Sequence, residues 1–267
     1  MGPFLSIIIP AYNEEQRIGR SLDEILRFLK EQTYRAEVIV VDDGSRDGTG
    51  KIVADRKAQY DEAGEVLRLL TNSPNRGKGY SVRRGVGSAQ GEIILFTDAD
   101  LSSPITEAPR LIAPIAEGLA DVTFGSRAIN RNLIEVRQSL VRDFGGRVFN
   151  LFLRAITGLP YKDTQCGFKA FRRDAAAPVF QRQSIERFGF DPEILYIARK
   201  RGLRLLEVPV RWSHSDDSKV SYLRDSVDMF LDLVRIRLND IKGRYEDEVV
   251  VVEVEQSAPV EKVSKRQ

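Results

Sequence analysis

EIILFTDADLSSP, Glu92 to Pro104, begins as an apolar run and ends in two aspartates one residue apart. An unbroken apolar run of this kind fits a strand buried on both faces, as in a parallel sheet, better than a half-solvated hairpin strand. Asp98 and Asp100 then stand where the strand leaves the sheet. Ligands of open parallel sheets bind at the carboxyl ends of strands, so paired negative charges there call for a positive partner. In an extended segment residues i and i+2 project the same way, and two carboxylates suit Mg²⁺ or Mn²⁺, ions that also bind substrate phosphates. Asp98 and Asp100 are therefore candidate metal ligands. Capping of a helix beginning near Pro104 is the other reading of the same triplet.

Working outward, the strand-like runs FLSIIIP (Phe4–Pro10), AEVIVVD (Ala36–Asp42), VLRLLT (Val66–Thr71) and DVTFGS (Asp121–Ser126) alternate with helical patterns over Arg17–Gln32, about Thr49–Ala63, Gly79–Ala89 and Glu107–Glu117. Five strands joined by helices predict an α/β fold: a Rossmann-type, mostly parallel sheet with helices on both sides. The strands run into PAYNEE (Pro10–Glu15), DDGSRDGT (Asp42–Thr49), NSPNRGKGYS (Asn72–Ser81), DADLSSP and GSR (Gly125–Arg127), five loops on one rim. The rim has no GxGxxG, and GKGY lacks the Walker spacing, which disfavours a dinucleotide site and a P-loop. Gly77-Lys78-Gly79 ahead of a helix still lets backbone N–H groups approach an anion, with Lys78 adding charge, so a diphosphate fits there.

Composition narrows the classes. The chain has 267 residues, 42% of them hydrophobic, enough for a proper core. Lys and Arg number 41 against 39 Asp and Glu, so nothing global marks a nucleic-acid binder. One cysteine, Cys166, precludes an internal disulfide and suits a reducing compartment, and one histidine, His214, makes a zinc hydrolase a poor reading. Neither a secretory signal nor a membrane span is expected. The chain is expected in the cytoplasm, with a peripheral place on the cytoplasmic face of a membrane open to it.

SIIIPAYNEE, VIVVDDGSRDGT, NRGKG, DADLSSP and GSR, in this order and spacing, resemble the nucleotide-sugar domain of family 2 inverting glycosyltransferases, over roughly Ser6 to Arg127. DTQCGFKAFRR (Asp163–Arg173), FGFDPEILYIA (Phe188–Ala198) and EVPVRW followed by SKV resemble the dolichyl-phosphate β-glucosyltransferase branch. The resemblance implies a GT-A-like domain over 1–243, with a nucleotide-sugar half (1–127) and an acceptor half (128–243); the Val/Glu-alternating, then Pro- and Lys-containing end reads by composition as a disordered tail (244–267). The resemblance also implies that Pro10, Tyr12 and Glu14 line the nucleoside pocket, that Asp42 and Asp43 meet base and ribose, and that Gly77, Lys78, Arg127 and Lys219 belong to the donor site. Tyr12 can stack on a base and a carboxylate can accept from uracil N3–H or ribose hydroxyls. Ser102 stands where mannosyl relatives more often have glutamine, leaving a third metal ligand to water or phosphate, and Asp217 replaces the usual glycine before Ser218-Lys219.

In the second half, SLVRDFGGRVFNLFLRAITGL (Ser139–Leu159) places Val141, Phe144, Val148, Phe152 and Ile156 at helical spacing, with Arg142 and Arg147 beside them. An apolar groove for a polyprenyl chain with Arg142 at its phosphate, or a core helix with solvated arginines, both fit. Tyr222–Ile241 repeats the theme: Val227, Phe230, Leu231, Val234, Leu238 and Ile241 form a stripe beside Arg224, Arg235, Arg237 and Lys242, as on an anionic bilayer or a partner. Asp163 is the candidate acceptor-facing residue, with an Asx-turn as the alternative. With Asp98, Asp100 and Arg142 it completes the candidate catalytic set.

The implied activity is glucose transfer from UDP-glucose to a polyprenyl or dolichyl phosphate. GDP-mannose-dependent transfer to the same acceptor, transfer to a sugar hydroxyl, and a non-catalytic nucleotide-sugar-binding module are the alternatives. A nucleotidyltransferase would open with a Gly-rich loop, and PAYNEE has no glycine.

Overall fold

A computed structural model describes residues 2–136, 140–213 and 222–246. The first half follows the expected alternation: β1 (Leu5–Ala11), α1 (Ile18–Lys30), β2 (Ala36–Asp42), α2 (Thr49–Asp55), α3 (Lys57–Glu62), β3 (Val66–Thr71), α4 (Lys78–Ser88), β4 (Ile93–Phe96), α5 (Ala108–Ala116) and β5 (Val122–Ser126). The helix expected over about Thr49–Ala63 is broken at Arg56, whose guanidinium bonds Asp23 of α1 at 2.8 and 3.1 Å. Beyond the break Tyr60 is fully buried and donates its hydroxyl to Leu22 O.

The main sheet has the order β3-β2-β1-β4-β7-β5-β8, with β7 (Lys169–Arg172) and β8 (Leu205–Pro209) from the second half. Every neighbouring pair is parallel except those of β7, which runs antiparallel between β4 and β5. Its first residue, Lys169, is in register with Phe96 and Phe124, so the chain enters β7 from the side on which β4 and β5 end. The segment before it, Asp163–Phe168, thus joins the carboxyl-end rim. The sheet is thus mostly parallel, as expected, with this one antiparallel insertion.

Strand side chains alternate between two cores, as a period of two requires. Ile7, Ile9, Val38, Val40 and Leu95 pack on α1 and α5, while Ile8, Ile39, Val41, Ile94 and Phe96 pack on α4, α7 (Arg173–Arg182) and α8 (Phe190–Lys200). The second core also takes Leu233 and Ile236 of α9 (Tyr222–Ile241) and Leu153 of α6 (Leu140–Thr157). Two short strands, β6 (Ile134–Val136) and β9 (Trp212–Ser213), pair apart from the main sheet. The tail expected from 244 starts too early: Tyr245 is 1% exposed and donates to Glu193 at 2.8 Å, because its ring fills the core beneath α8. Residues 247–267 lie outside the described residues.

Candidate active site

β1 lies between β2 and β4, so the chain order reverses at the β1/β4 boundary. That reversal opens a crevice outside the strand ends, and the loops after β1, β2 and β4 border it. The first two loops are fastened together. Asn13, at φ 53°, donates its N–H to Ser45 Oγ and accepts from Arg46 N, and Glu14 N–H donates to Thr49 Oγ1 at 2.7 Å. Pro10 is at the end of β1, and Tyr12 beyond it is 38% exposed. The Glu14 carboxylate takes the Arg17 guanidinium at 2.7 and 2.9 Å.

Asp42 and Asp43 are buried side by side but do different work. Asp42 accepts from Ser45 N at 2.9 Å. Asp43 accepts from Asn72 Nδ2 and Arg76 N on one oxygen and from Gly77 N at 2.7 Å on the other, so it shapes the NRGKG loop. Gly77 sits at φ +106°, and a Cβ there would be 2.6 Å from Glu186 O. Only glycine meets both conditions without strain. Lys78 follows as the first residue of α4 and reaches Asp98 Oδ1 with its ammonium at 2.6 Å. Burial would lower this ammonium's pKa, but Asp98, Asp191 and Asp100 outweigh it and hold it above the ordinary lysine value.

The carboxylate pair does not sit on an extended segment. Leu101 N–H donates to Asp98 O at 3.1 Å and Leu101 has φ 49°, so Asp98–Leu101 is a turn. The extended-chain argument for their common direction therefore fails. Asp98 faces Lys78 and Gly167, whereas Asp100 accepts from Ser102 N at 3.0 Å and lies 3.6 Å from Arg17 Nη1. Among the described residues no group of three or more metal-ligating side chains gathers. Two hard carboxylates at a strand end still suit Mg²⁺ or Mn²⁺, which keep waters and substrate phosphates in their shell. A Cβ on Gly167 would fall 2.2 Å from Asp98 Oδ2, so the glycine leaves room for this carboxylate.

At the end of β5, Arg127 meets Asp163 through Nε at 2.7 Å, Nη2 at 2.9 Å and its own N–H at 3.0 Å; Gln165 N adds a fourth bond to the same carboxylate. Burial works against both charges, yet Arg127 holds Asp163 below the usual carboxylate range and Asp163 holds the guanidinium above its own. Asp163 is thus a locked ion-pair partner. Arg127 also lies over Trp212, 5.4 Å from the ring centroid. Cys166 is buried, and desolvation, then Asp163, push its thiol up to about 11, which removes it from nucleophilic chemistry. Arg142 belongs to α6 but its side chain, like Lys219 and His214, lies outside the described residues.

Three residues escaped the sequence reading. Arg17 stands between Glu14 and Asp100. Lys169, with no exposed surface, is bonded to Asp191 and to Cys166 O, and the Asp191 charge helps hold the Lys78 ammonium above its ordinary pKa. A lysine inside the apolar GFKAF was the available signal, since a fully buried lysine needs a carboxylate partner.

A mostly parallel sheet with one antiparallel insertion, and a rim combining paired carboxylates with a lysine at a helix start, define a GT-A-like domain. The fold matches glucosyl-3-phosphoglycerate synthase from Mycobacterium tuberculosis in complex with UDP, at TM-score 0.62 and 19% identity over 88% of this chain and 80% of that one. The same enzyme in complex with Mn²⁺, UDP-glucose and phosphoglyceric acid matches at 0.62 and 19% identity, over 88% of this chain and 79% of that one. The glycosyl transferase family 2 profile matches residues 6–180. Dolichyl-phosphate β-glucosyltransferase of Dictyostelium discoideum is 35% identical over 90% of this chain and 76% of its own length. The Saccharomyces cerevisiae protein of that name is 37% identical over 91% and 77%, and the human one 35% over 90% and 77%. The chain belongs to glycosyl transferase family 2 and is a glycosyltransferase.

Proposed function

We propose that this enzyme transfers glucose from UDP-glucose to a dolichyl or other polyprenyl phosphate, with inversion. The named relatives support the reaction class, and the observation that carries the acceptor is the Asp163–Arg127 lock. A sugar hydroxyl must lose its proton during attack and calls for a positioned carboxylate base. A phosphate monoester has a second pKa of about 6, so near neutral pH it is largely a dianion and attacks unaided. Asp163, paired through both oxygens and held below the usual carboxylate range, is a poor base, which suits a nucleophile that needs none.

On this reading Tyr12 stacks on uracil, Asp42 and Glu14 border the nucleoside, and the N–H groups at Gly77–Gly79 with Lys78 receive the diphosphate. Asp98 and Asp100 hold Mg²⁺ or Mn²⁺, which supplies charge neutralisation for the diphosphate leaving group. Lys78, paired with Asp98 at 2.6 Å, would give its charge to the same phosphates. Arg142 and Lys219 are assigned to acceptor and donor phosphate respectively, from the resemblance.

The lipid-facing surface is assigned to α6 and α9. Phe230, Leu231, Val234, Leu238 and Ile241 are all exposed, while Leu233 and Ile236 of the same helix are core. Leu151 and Phe152 of α6 are exposed beside them, with Phe152 edge-on to Phe230 at 5.8 Å. Among the described residues no helix is long and apolar enough to cross a membrane. The exposed apolar face of α6 and α9 would lie on a bilayer near the lipid acceptor.

The deciding experiment offers purified protein with Mn²⁺ a panel of UDP-glucose, UDP-galactose and GDP-mannose, with a short polyprenyl phosphate or a glycoside as acceptor. UDP-glucose with the phosphate acceptor is expected to turn over fastest. A preference for GDP-mannose would move the reading to mannose, and turnover on glycosides alone would remove the phosphate acceptor.

A further inference from the structure

The segment from Asp163 to Gly167 crosses the rim between two fixed points. At one end Asp163 is locked to Arg127; at the other, Gly167 packs on the Asp98 carboxylate. Between them, Cys166 gives its carbonyl to Lys169 and its sulfur to Ser103, 3.8 Å away. Two side-chain groups of the segment are left over: the Thr164 hydroxyl and the Gln165 amide nitrogen are buried without a hydrogen-bond partner. Thr164 is 1% exposed. Buried polar atoms in folded proteins nearly always find a partner, and an orphan costs about 1–3 kcal/mol. Two adjacent orphans in a loop pinned at both ends point to a ligand that pairs them.

The chemistry of the missing partner follows from charge and place. The segment is electrically neutral once Asp163 and Arg127 are paired, the Gln165 NH₂ donates, and the Thr164 hydroxyl both donates and accepts, which matches ligand hydroxyls, themselves donor and acceptor. The loop also abuts Asp98, the carboxylate assigned to the metal that would neutralise the donor diphosphate, and the group bonded to that diphosphate is the hexose. We propose that Thr164 and Gln165 are specificity-determining residues that read hydroxyls of the transferred hexose. This rests on the nucleotide-sugar reading above and names the part of the site that selects the sugar.

The test uses the full chain with Mn²⁺ and compares binding of UDP, UDP-glucose and UDP-galactose, and steady-state kinetics with a short polyprenyl phosphate, for Thr164→Val and Gln165→Ala. Thr164→Val removes only an unpaired hydroxyl, so a purely structural role predicts an equal or higher Tm and unchanged sugar selection. The expected result is a Tm at or above wild type, UDP affinity within twofold, kcat/KM for UDP-glucose lowered about 10- to 100-fold, and the preference for UDP-glucose over UDP-galactose lost. Gln165→Ala is expected to do the same with the acceptor KM unchanged. Retention of the wild-type sugar preference in both variants overturns the proposal, as does a change confined to acceptor KM, which would make the loop a phosphate reader. A wild type that binds neither UDP nor UDP-glucose overturns the donor assignment itself, which distinguishes that failure from this one.

Discussion

Replacing Asp163 by asparagine separates an ion-pair role from a general-base role. The carboxylate accepts four hydrogen bonds, three from Arg127 and one from Gln165 N. Asparagine keeps one oxygen but turns an NH₂ donor toward the guanidinium, leaving a charge without its counterion. Breaking a buried pair costs about 3–5 kcal/mol. Arg127 retains 29% side-chain exposure, so water recovers part of this and about 2–3 kcal/mol is expected. At about 2–4 °C per kcal/mol for a domain of this size, the Tm falls by about 5–10 °C. The sign of the pH dependence follows from the depressed folded pKa: the stabilisation is complete above the unfolded value of about 3.9 and is lost as pH falls through the lower folded value. The gap between wild type and variant is therefore constant from about pH 5 to 8 and closes in acid. With a phosphate acceptor, kcat should fall by less than the roughly 10² to 10⁴ of a lost general base. Thermal melts at several pH values and steady-state kinetics on the residual folded protein measure both. An unchanged Tm together with a kcat loss of that size at constant acceptor KM would refute the reasoning.

Asp100→Asn is expected to abolish transfer and the metal-dependent part of UDP binding while the circular dichroism spectrum stays native; full activity in chelator would end the metal assignment. Gly167→Ala drives a Cβ to 2.2 Å from Asp98 Oδ2, so it should weaken Mn²⁺-dependent UDP binding at least tenfold by calorimetry; unchanged affinity would mean that Asp98 is not a ligand. The protein should sediment with anionic liposomes at low salt and release as salt rises, and Phe230→Ser with Val234→Ser should reduce sedimentation without changing UDP affinity. Wild-type protein that ignores liposomes at every salt concentration would make the stripe a protein contact.

The first half of the fold was legible because each strand is a short apolar run ending in turn residues, a signal that needs no tertiary information. β7 was not, since KAFR is four residues long and its place between β4 and β5 is set by long-range pairing. The stripe on α9 was read residue by residue, and its exposed side agrees with the helical period because Leu233 and Ile236 fall on the opposite face. The rim residues were legible as types and order, but not their partners. Asp43 and Asp163 look alike in sequence to Asp98, and only the fold shows that internal N–H groups and a guanidinium claim their oxygens. Asp98 and Asp100 were singled out by spacing on an extended segment, whereas the backbone between them is a turn, a feature that the Asp-Ala-Asp triplet alone does not reveal.

A fully buried lysine lies close to Asp98 in a chain of alternating charges. Lys169, Asp191, Lys78 and Asp98 alternate in sign from the core outward, and on the other flank Arg17 stands between Asp100 and Glu14. Each carboxylate of the pair thus has a protein cation close by. Replacing Lys169 by a neutral residue would leave Asp191 free to compete for Lys78, drawing the ammonium inward and away from the phosphates it is proposed to meet. On the proposed function Lys169 and Asp191 would act at a distance, leaving Lys78 beside Asp98 at the rim, where its charge would pass to a diphosphate oxygen. The same pairing fixes the Cys166 carbonyl, and with it the loop that carries Thr164 and Gln165, so the parts of the site proposed to meet phosphate and sugar share one buried anchor.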